Sequence, residues 1–172
     1  AARALSADLD APLIVTGPSA AGKTIVLRQT LAAVVRAGVT PMRIAYLSLS
    51  APVYAGEGLA ALTDRVLDRF GYGRDEKIFL FIDDLDYAPD GIAGLAALQA
   101  RLPQARLIAS LSSGAPRLTP GRAEIDTADG PRPVEFRVLP PLTFAEFMGF
   151  RRSDTALGGI LPQAGTSLSL DQ

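Results

Sequence analysis

Apolar positions along this chain fall in blocks that switch between strand spacing and helix spacing. Pro12-Leu13-Ile14-Val15-Thr16 is a short apolar run suited to a strand. Ile25, Val26, Leu31, Val34 and Val35 follow at spacings that predict a helix, which Gly38 can end. Residues 43–49 alternate and predict a second strand, and residues 50–58, with Pro52 and two glycines, predict a loop. Leu59, Leu62, Val66, Leu67 and Phe70 lie on one face of a second helix, with Gly71 where a terminating glycine belongs. Ile78 to Ile82 is continuously apolar, as a strand buried on both faces should be. A helix then opens at Pro89-Asp90, carries Leu95, Leu98 and Leu102 on one face, and stops at Pro103.

Residues 105–110 predict a fourth strand ending in the hydroxyls Ser110, Ser112 and Ser113, and residues 134–138 alternate as a fifth. Between them, residues 114–133 are rich in Gly, Pro and Arg and are expected to form an exposed loop. Thr143-Phe144-Ala145-Glu146 has the form of a capping box at the start of a helix. Five strands alternating with helices predict a three-layer α/β/α domain around a mostly parallel five-stranded sheet. Residues 1–152 are expected to make this core, and residues 153–172 a tail or the start of a further region.

Composition narrows the chemistry. The 172 residues contain no cysteine and no histidine, which excludes thiolate chemistry, an ordinary zinc site and histidine acid–base catalysis. A net charge of −1 gives no indication of a strongly basic nucleic-acid surface, although a local patch can hide in a balanced total. No apolar run approaches a membrane span. The first residues lack both an initiator Met and the apolar stretch of a signal peptide, so a piece of a longer protein is expected. Cytoplasmic placement is the default expectation.

The chemistry gathers at two places. Gly17-Pro18-Ser19-Ala20-Ala21-Gly22-Lys23-Thr24 is G-x-x-x-x-G-K-T between a strand and a helix. Gly17 and Gly22 can take backbone conformations closed to other residues, and the loop amides together with the helix dipole can then cradle phosphates. The residues from Gly17 to Ile25 are therefore candidates for binding a nucleotide through its phosphates. Lys23 would reach the β- and γ-phosphates, and the Thr24 hydroxyl would ligate Mg²⁺. Lys23 stands out further because the chain holds two lysines against fifteen arginines. The second place is Asp83-Asp84 at the end of the continuous apolar strand. Carboxylates emerging from a buried strand are costly unless a cation or proton shares the site. Asp83 is the candidate metal-linked acid of a Walker B pattern.

These motifs, with Gly121-Arg122 and then Pro141-Leu142-Thr143-Phe144-Ala145-Glu146-Phe147, resemble the core of an AAA+ ATPase over residues 11–152. The likeness is closest to the bacterial and archaeal AAA+ group that carries a poorly characterised domain after the core. It implies a P-loop NTPase fold, ATP and Mg²⁺ as ligands, and hydrolysis coupled to conformational change. By position, Asp84 stands where the family usually has the glutamate that polarises water, shorter by one methylene or roughly 1.5 Å of reach. Ser110 falls at the sensor position. Arg122, or less directly Arg117, is a candidate arginine finger, although a solvated loop arginine is its plainer explanation. A homo-oligomer or a protein client is an open partner class. The family's lid is not recognisable before Gln172.

Two other functions fit the same motifs. In a small-molecule or nucleotide kinase, Arg117, Arg122, Arg132 and Arg137 would close over phosphates, and the strands bearing Lys23's loop and Asp83 would be neighbours. In a nucleotide-binding switch with little hydrolysis, the shorter Asp84 would explain the weak turnover.

Overall fold

A computed structural model describes residues 11–73, 75–112, 120–146 and 148–149. The lead-in before Ala11, the Arg117 candidate and the tail from residue 153 lie outside them. The chain divides into two compact units, Ala1–Pro141 and Leu142–Gln172.

The first unit is built on one sheet with strands β1 (Leu13–Gly17), β2 (Ile44–Ser48), β3 (Phe79–Asp83), β4 (Arg106–Ser112), β5 (Gly121–Thr127) and β6 (Gly130–Val138). Their order across the sheet is β2-β3-β4-β1-β6-β5. All neighbours pair in parallel except β5 and β6. The helices are α1 (Lys23–Arg36), α2 (Leu59–Phe70) and α3 (Gly91–Arg101).

Alternation along the strands divides the core. Leu13, Val15, Phe81 and Ile108 turn to the face covered by Leu27 and Val34 of α1. Ile14, Leu80, Ile82, Leu107, Ala109 and Phe136 turn to the opposite face, packed by Leu59, Leu62 and Leu67 of α2 and Leu95 and Leu98 of α3. Each of the larger side chains, the Leu, Ile, Val and Phe, contributes about 1.5–3 kcal/mol when taken wholly out of water. The uninterrupted apolar run of β3 thus serves two cores at once, and the three-layer architecture follows.

The sheet has six strands rather than the expected five. The additional one, β5, and the first half of β6 occupy most of the stretch expected to be an exposed loop. Its alternation is hidden in the composition: Ala123 and Ile125 pack inward, while Arg122, Glu124 and Asp126 separate them. Pro131 and Pro133 also argue against a strand, since proline withdraws a ladder donor. They are tolerated because this half of β6 pairs with β5 alone; β1 pairs with β6 only from Glu135 onward.

The apolar face of α1 differs in detail as well. Leu27, Thr30 and Val34 are its buried residues besides Lys23, whereas Ile25 and Val35 are exposed. Helix α2 ends as its glycine predicts: Gly71 has φ 71°, and the Tyr72 amide reaches back to the Leu67 carbonyl at 2.9 Å.

The start of α2 is capped from a distance. Both carboxylate oxygens of Asp90, just before α3, accept from the Leu59 amide at 3.2 and 3.1 Å. Arg101 of α3 reinforces the pair of helices with a two-oxygen contact to Asp64 of α2 at 2.9 and 3.0 Å. In the second unit, Thr143 and Glu146 form the expected capping box. The Thr143 amide and hydroxyl both donate to Glu146 Oε2 at 2.8 Å, and the Glu146 amide returns to Thr143 Oγ1 at 3.3 Å. The Thr143 amide, then its hydroxyl, hold the Glu146 carboxyl below its ordinary value.

A Cβ on Gly94 would lie 2.2 Å from Asp90 Oδ2 and 2.7 Å from Asp90 Cβ, so any side chain there displaces the cap. Asp90→Ala is expected to cost about 1 kcal/mol. Gly94→Ala is expected to cost at least as much despite its better helix propensity, as read by urea denaturation.

Candidate functional site

In a parallel sheet, ligands collect outside the carboxyl ends of the strands, where helices begin and their free amides point. Gly17, Ser48, Asp83 and Ser112 end β1, β2, β3 and β4 on this edge. The loop after β1 makes a tight turn, with the Ala21 amide on the Pro18 carbonyl at 3.2 Å. Ala20 and Gly22 have φ of 62° and 95°, left-handed conformations that turn successive peptides to form an anion-binding concavity. The two glycines serve different ends. Gly22 supplies the positive φ, whereas Gly17 allows close approach: a Cβ there would sit 2.3 Å from the Leu139 carbonyl oxygen.

Lys23 is 7% exposed and folds back over the loop, donating to the carbonyls of Gly17 at 3.0 Å and Pro18 at 2.9 Å. Thr24, the next residue, donates to Asp83 Oδ1 at 3.3 Å. The loop and the end of β3 are thus in direct contact. One strand, β4, lies between β1 and β3. That is the arrangement expected of the ATPase class and not of the kinase alternative.

Asp83 is 2% exposed, and the hydrogen-bond partners of its carboxylate among the described residues are hydroxyls. Ser110 Oγ, wholly buried on β4, donates to Oδ1 at 2.5 Å. Tyr46 of β2 donates its phenol to Oδ2 at 2.6 Å. The same Ser110 oxygen accepts from the Asp84 amide at 2.9 Å. Asp84 itself has φ 61° and turns the chain out of β3 into a short 3₁₀ turn, Leu85–Tyr87. Asp is among the few residues besides glycine that visit this conformation readily, and glutamate is not. The shorter acid therefore suits the backbone at this position. Asp86 then accepts from the Ser112 amide at 2.7 Å, tying the turn to the end of β4.

The residues picked out by sequence separate into two groups. Gly17 through Ile25, Asp83, Asp84 and Ser110 come together at one edge of the sheet. Arg122 does not join them. It lies exposed on the edge strand β5 opposite Glu135, which is in register with Leu13 at the start of β1. Tyr46 and Asp86 were not picked out. A phenol within an otherwise apolar alternating strand was the available signal for Tyr46; nothing local distinguishes Asp86.

The donor set suits Mg²⁺. No group of three or more acidic, histidine or cysteine ligands occurs among the described residues. Mg²⁺ in nucleotide sites is commonly held by one or two carboxylates together with substrate phosphates. Asp83 and the Thr24 hydroxyl, beside an anion-binding loop, match that requirement.

The family model described as an AAA domain matches residues 10–148. The chain belongs to this AAA domain family, and its fold and P-loop make it an AAA+-type nucleotide-binding module. Comparison with curated proteins finds no match. Among solved structures, the Orc1 protein of Aeropyrum pernix in complex with DNA is similar at 16% identity and a TM-score of 0.48. The similarity covers 89% of this chain and 46% of that one, so this chain spans less than half its length. Among the described residues, no helix is long and apolar enough to cross a membrane.

The Tyr46 phenol is pushed up from its ordinary value of 10.0 to about 12, first by burial and then by its bond to Asp83, with Arg28 acting in the opposite direction. A phenol whose folded value is raised contributes stability that is complete below pH 10 and lost as pH rises toward 12. Thermal melts are therefore expected to show wild type losing stability between pH 10 and 12 more steeply than Tyr46→Phe. Below pH 10 the two should run parallel.

Proposed function

We propose that this chain binds ATP with Mg²⁺ at the edge formed by the Gly17–Thr24 loop and Asp83, hydrolyses it, and couples nucleotide state to a conformational change. The observation that carries this reading is the contact between Thr24 and Asp83 at 3.3 Å, which joins the phosphate loop to a buried acid from a distant strand. Thr24 and Asp83 would hold the metal, whose charge would offset that of the β- and γ-phosphates. Lys23 would give up its two loop carbonyls for phosphate oxygens, exchanging neutral acceptors for charged ones.

Asp84 would orient and deprotonate the attacking water. Its backbone amide is already fixed by Ser110, and its carboxylate has no hydrogen-bond partner among the described residues. Ser110 would act by holding the Asp83–Asp84 pair in place. Arg122 would serve as a finger only toward a neighbouring subunit's nucleotide, which requires a homo-oligomer. A protein client or nucleic acid on which the module acts would lie outside this site. Cytoplasmic action fits an ATP-dependent role.

A switch with little turnover is the second reading, favoured by one observation. The Asp84 side chain is a methylene shorter than the family's usual acid, and its left-handed backbone resists the longer residue.

Lys23→Ala is expected to remove about 1.5–3 kcal/mol of charge-assisted bonding, a roughly ten- to hundredfold loss of ATP affinity by calorimetry. Asp84→Asn, which tolerates the same backbone, is expected to leave ATP binding intact and slow single-turnover phosphate release about a hundredfold or more. Equal release by wild type and Asp84→Asn would favour the switch.

A further inference from the structure

We infer that Tyr46 is a positioning residue that holds the Asp83 carboxylate in its metal-binding orientation and thereby sets how tightly Mg²⁺ joins the nucleotide. The inference rests on the Mg²⁺–ATP reading of the same site. A carboxylate at the end of a strand rotates easily about its last torsion, because that well is broad. Two bonds to different oxygens remove this freedom. Ser110 takes Oδ1 at 2.5 Å, and the Tyr46 phenol is the partner of Oδ2 among the described residues, at 2.6 Å.

The third bond, from Thr24, is the longest at 3.3 Å and also falls on Oδ1. It is the weakest of the three, and a Thr24 hydroxyl that offers a lone pair to a metal ion can keep or lose it. The two short bonds, one to each oxygen, are therefore the ones that fix the plane of Asp83.

The phenol is itself well supported. Tyr46 lies in register with Phe81, two residues before Asp83 on the neighbouring strand, so its ring runs along β3 toward the carboxylate. The ring packs against the core beneath α1, and the Arg28 guanidinium, one helical turn beyond Thr24, lies 6.0 Å from the ring centroid. Partners of this kind, hydrogen-bonded to a metal's ligand and not to the metal, typically govern metal affinity by about 10–100-fold. Tyr46→Phe removes only the hydroxyl and leaves Oδ2 as a buried acceptor without its partner.

The test is equilibrium binding of ATP across a series of Mg²⁺ concentrations and in EDTA, for wild type, Tyr46→Phe, Asp83→Asn and the double variant, with thermal melts at neutral pH alongside. Tyr46→Phe is expected to raise the Mg²⁺ midpoint about tenfold or more. Its ATP affinity in EDTA should stay close to wild type, its melting should fall by no more than the loss of one buried hydrogen bond explains, and it should add nothing to the Mg²⁺ midpoint in the Asp83→Asn background. An unchanged midpoint would overturn the inference. So would equal weakening with and without Mg²⁺, or the same shift in the Asp83→Asn background, because either would mark Tyr46 as a packing residue. If wild type itself shows no Mg²⁺ dependence, the metal reading fails and this inference fails with it. A normal wild-type response shared by Tyr46→Phe removes the inference alone.

Discussion

The structure depends on one buried charge. Asp83 is almost wholly out of water, and an isolated carboxylate in that position would be prohibitively costly. Hydroxyls from three separate elements compensate it: Thr24 from α1, Tyr46 from β2 and Ser110 from β4. Each donates a dipole, and none contributes a positive charge. The arrangement stabilises the carboxylate while leaving its charge available to a cation, which a lysine or arginine in the same place would have neutralised. A strand end that only needed to be folded would not require an acid there.

Topology makes this convergence possible. Placing β4 between β1 and β3 opens a gap one strand wide between the loop at Gly17 and the acid at Asp83. Ser110 fills the floor of that gap and bonds both Asp83 and the Asp84 backbone, so the acid pair and the central strand form one rigid unit. Asp86 adds a second tie from the same turn to the end of β4. The loop side is closed by the chain itself, with Lys23 bonded to the carbonyls of Gly17 and Pro18. A phosphate group entering the loop would have to compete for a lysine that already has partners, and its charge would make it the better acceptor.

Much of this was legible in the sequence, for definable reasons. The strand-loop-helix run at Gly17–Thr24 and the apolar strand ending at Asp83 are local patterns whose physics is local, and both formed where expected. Strand β5 was not legible, because its two inward residues, Ala123 and Ile125, are set among charges and its partner strand carries Pro131 and Pro133. Only pairing across the hairpin makes them a strand. Ile25 and Val35 show the same limit on α1: apolar spacing marked them for the core, yet Leu27 and Val34 took that face. Tyr46 is the site's clearest example. Its part in the site arises from a neighbour 37 positions away in sequence, which strand register alone brings within reach.

The central claim is that Lys23, Thr24 and Asp83 form one Mg²⁺–nucleotide site, and the most direct measurement is a crystal structure with Mg²⁺ and a non-hydrolysable ATP analogue. The account predicts the triphosphate in the Gly17–Thr24 loop, Lys23 Nζ moved from the Gly17 and Pro18 carbonyls to a phosphate oxygen, and Thr24 Oγ1 at ligand distance from the metal, whether or not it still donates to Asp83. A nucleotide bound elsewhere, or bound in the loop with Lys23 still on its two carbonyls and the metal away from Thr24 and Asp83, would contradict it.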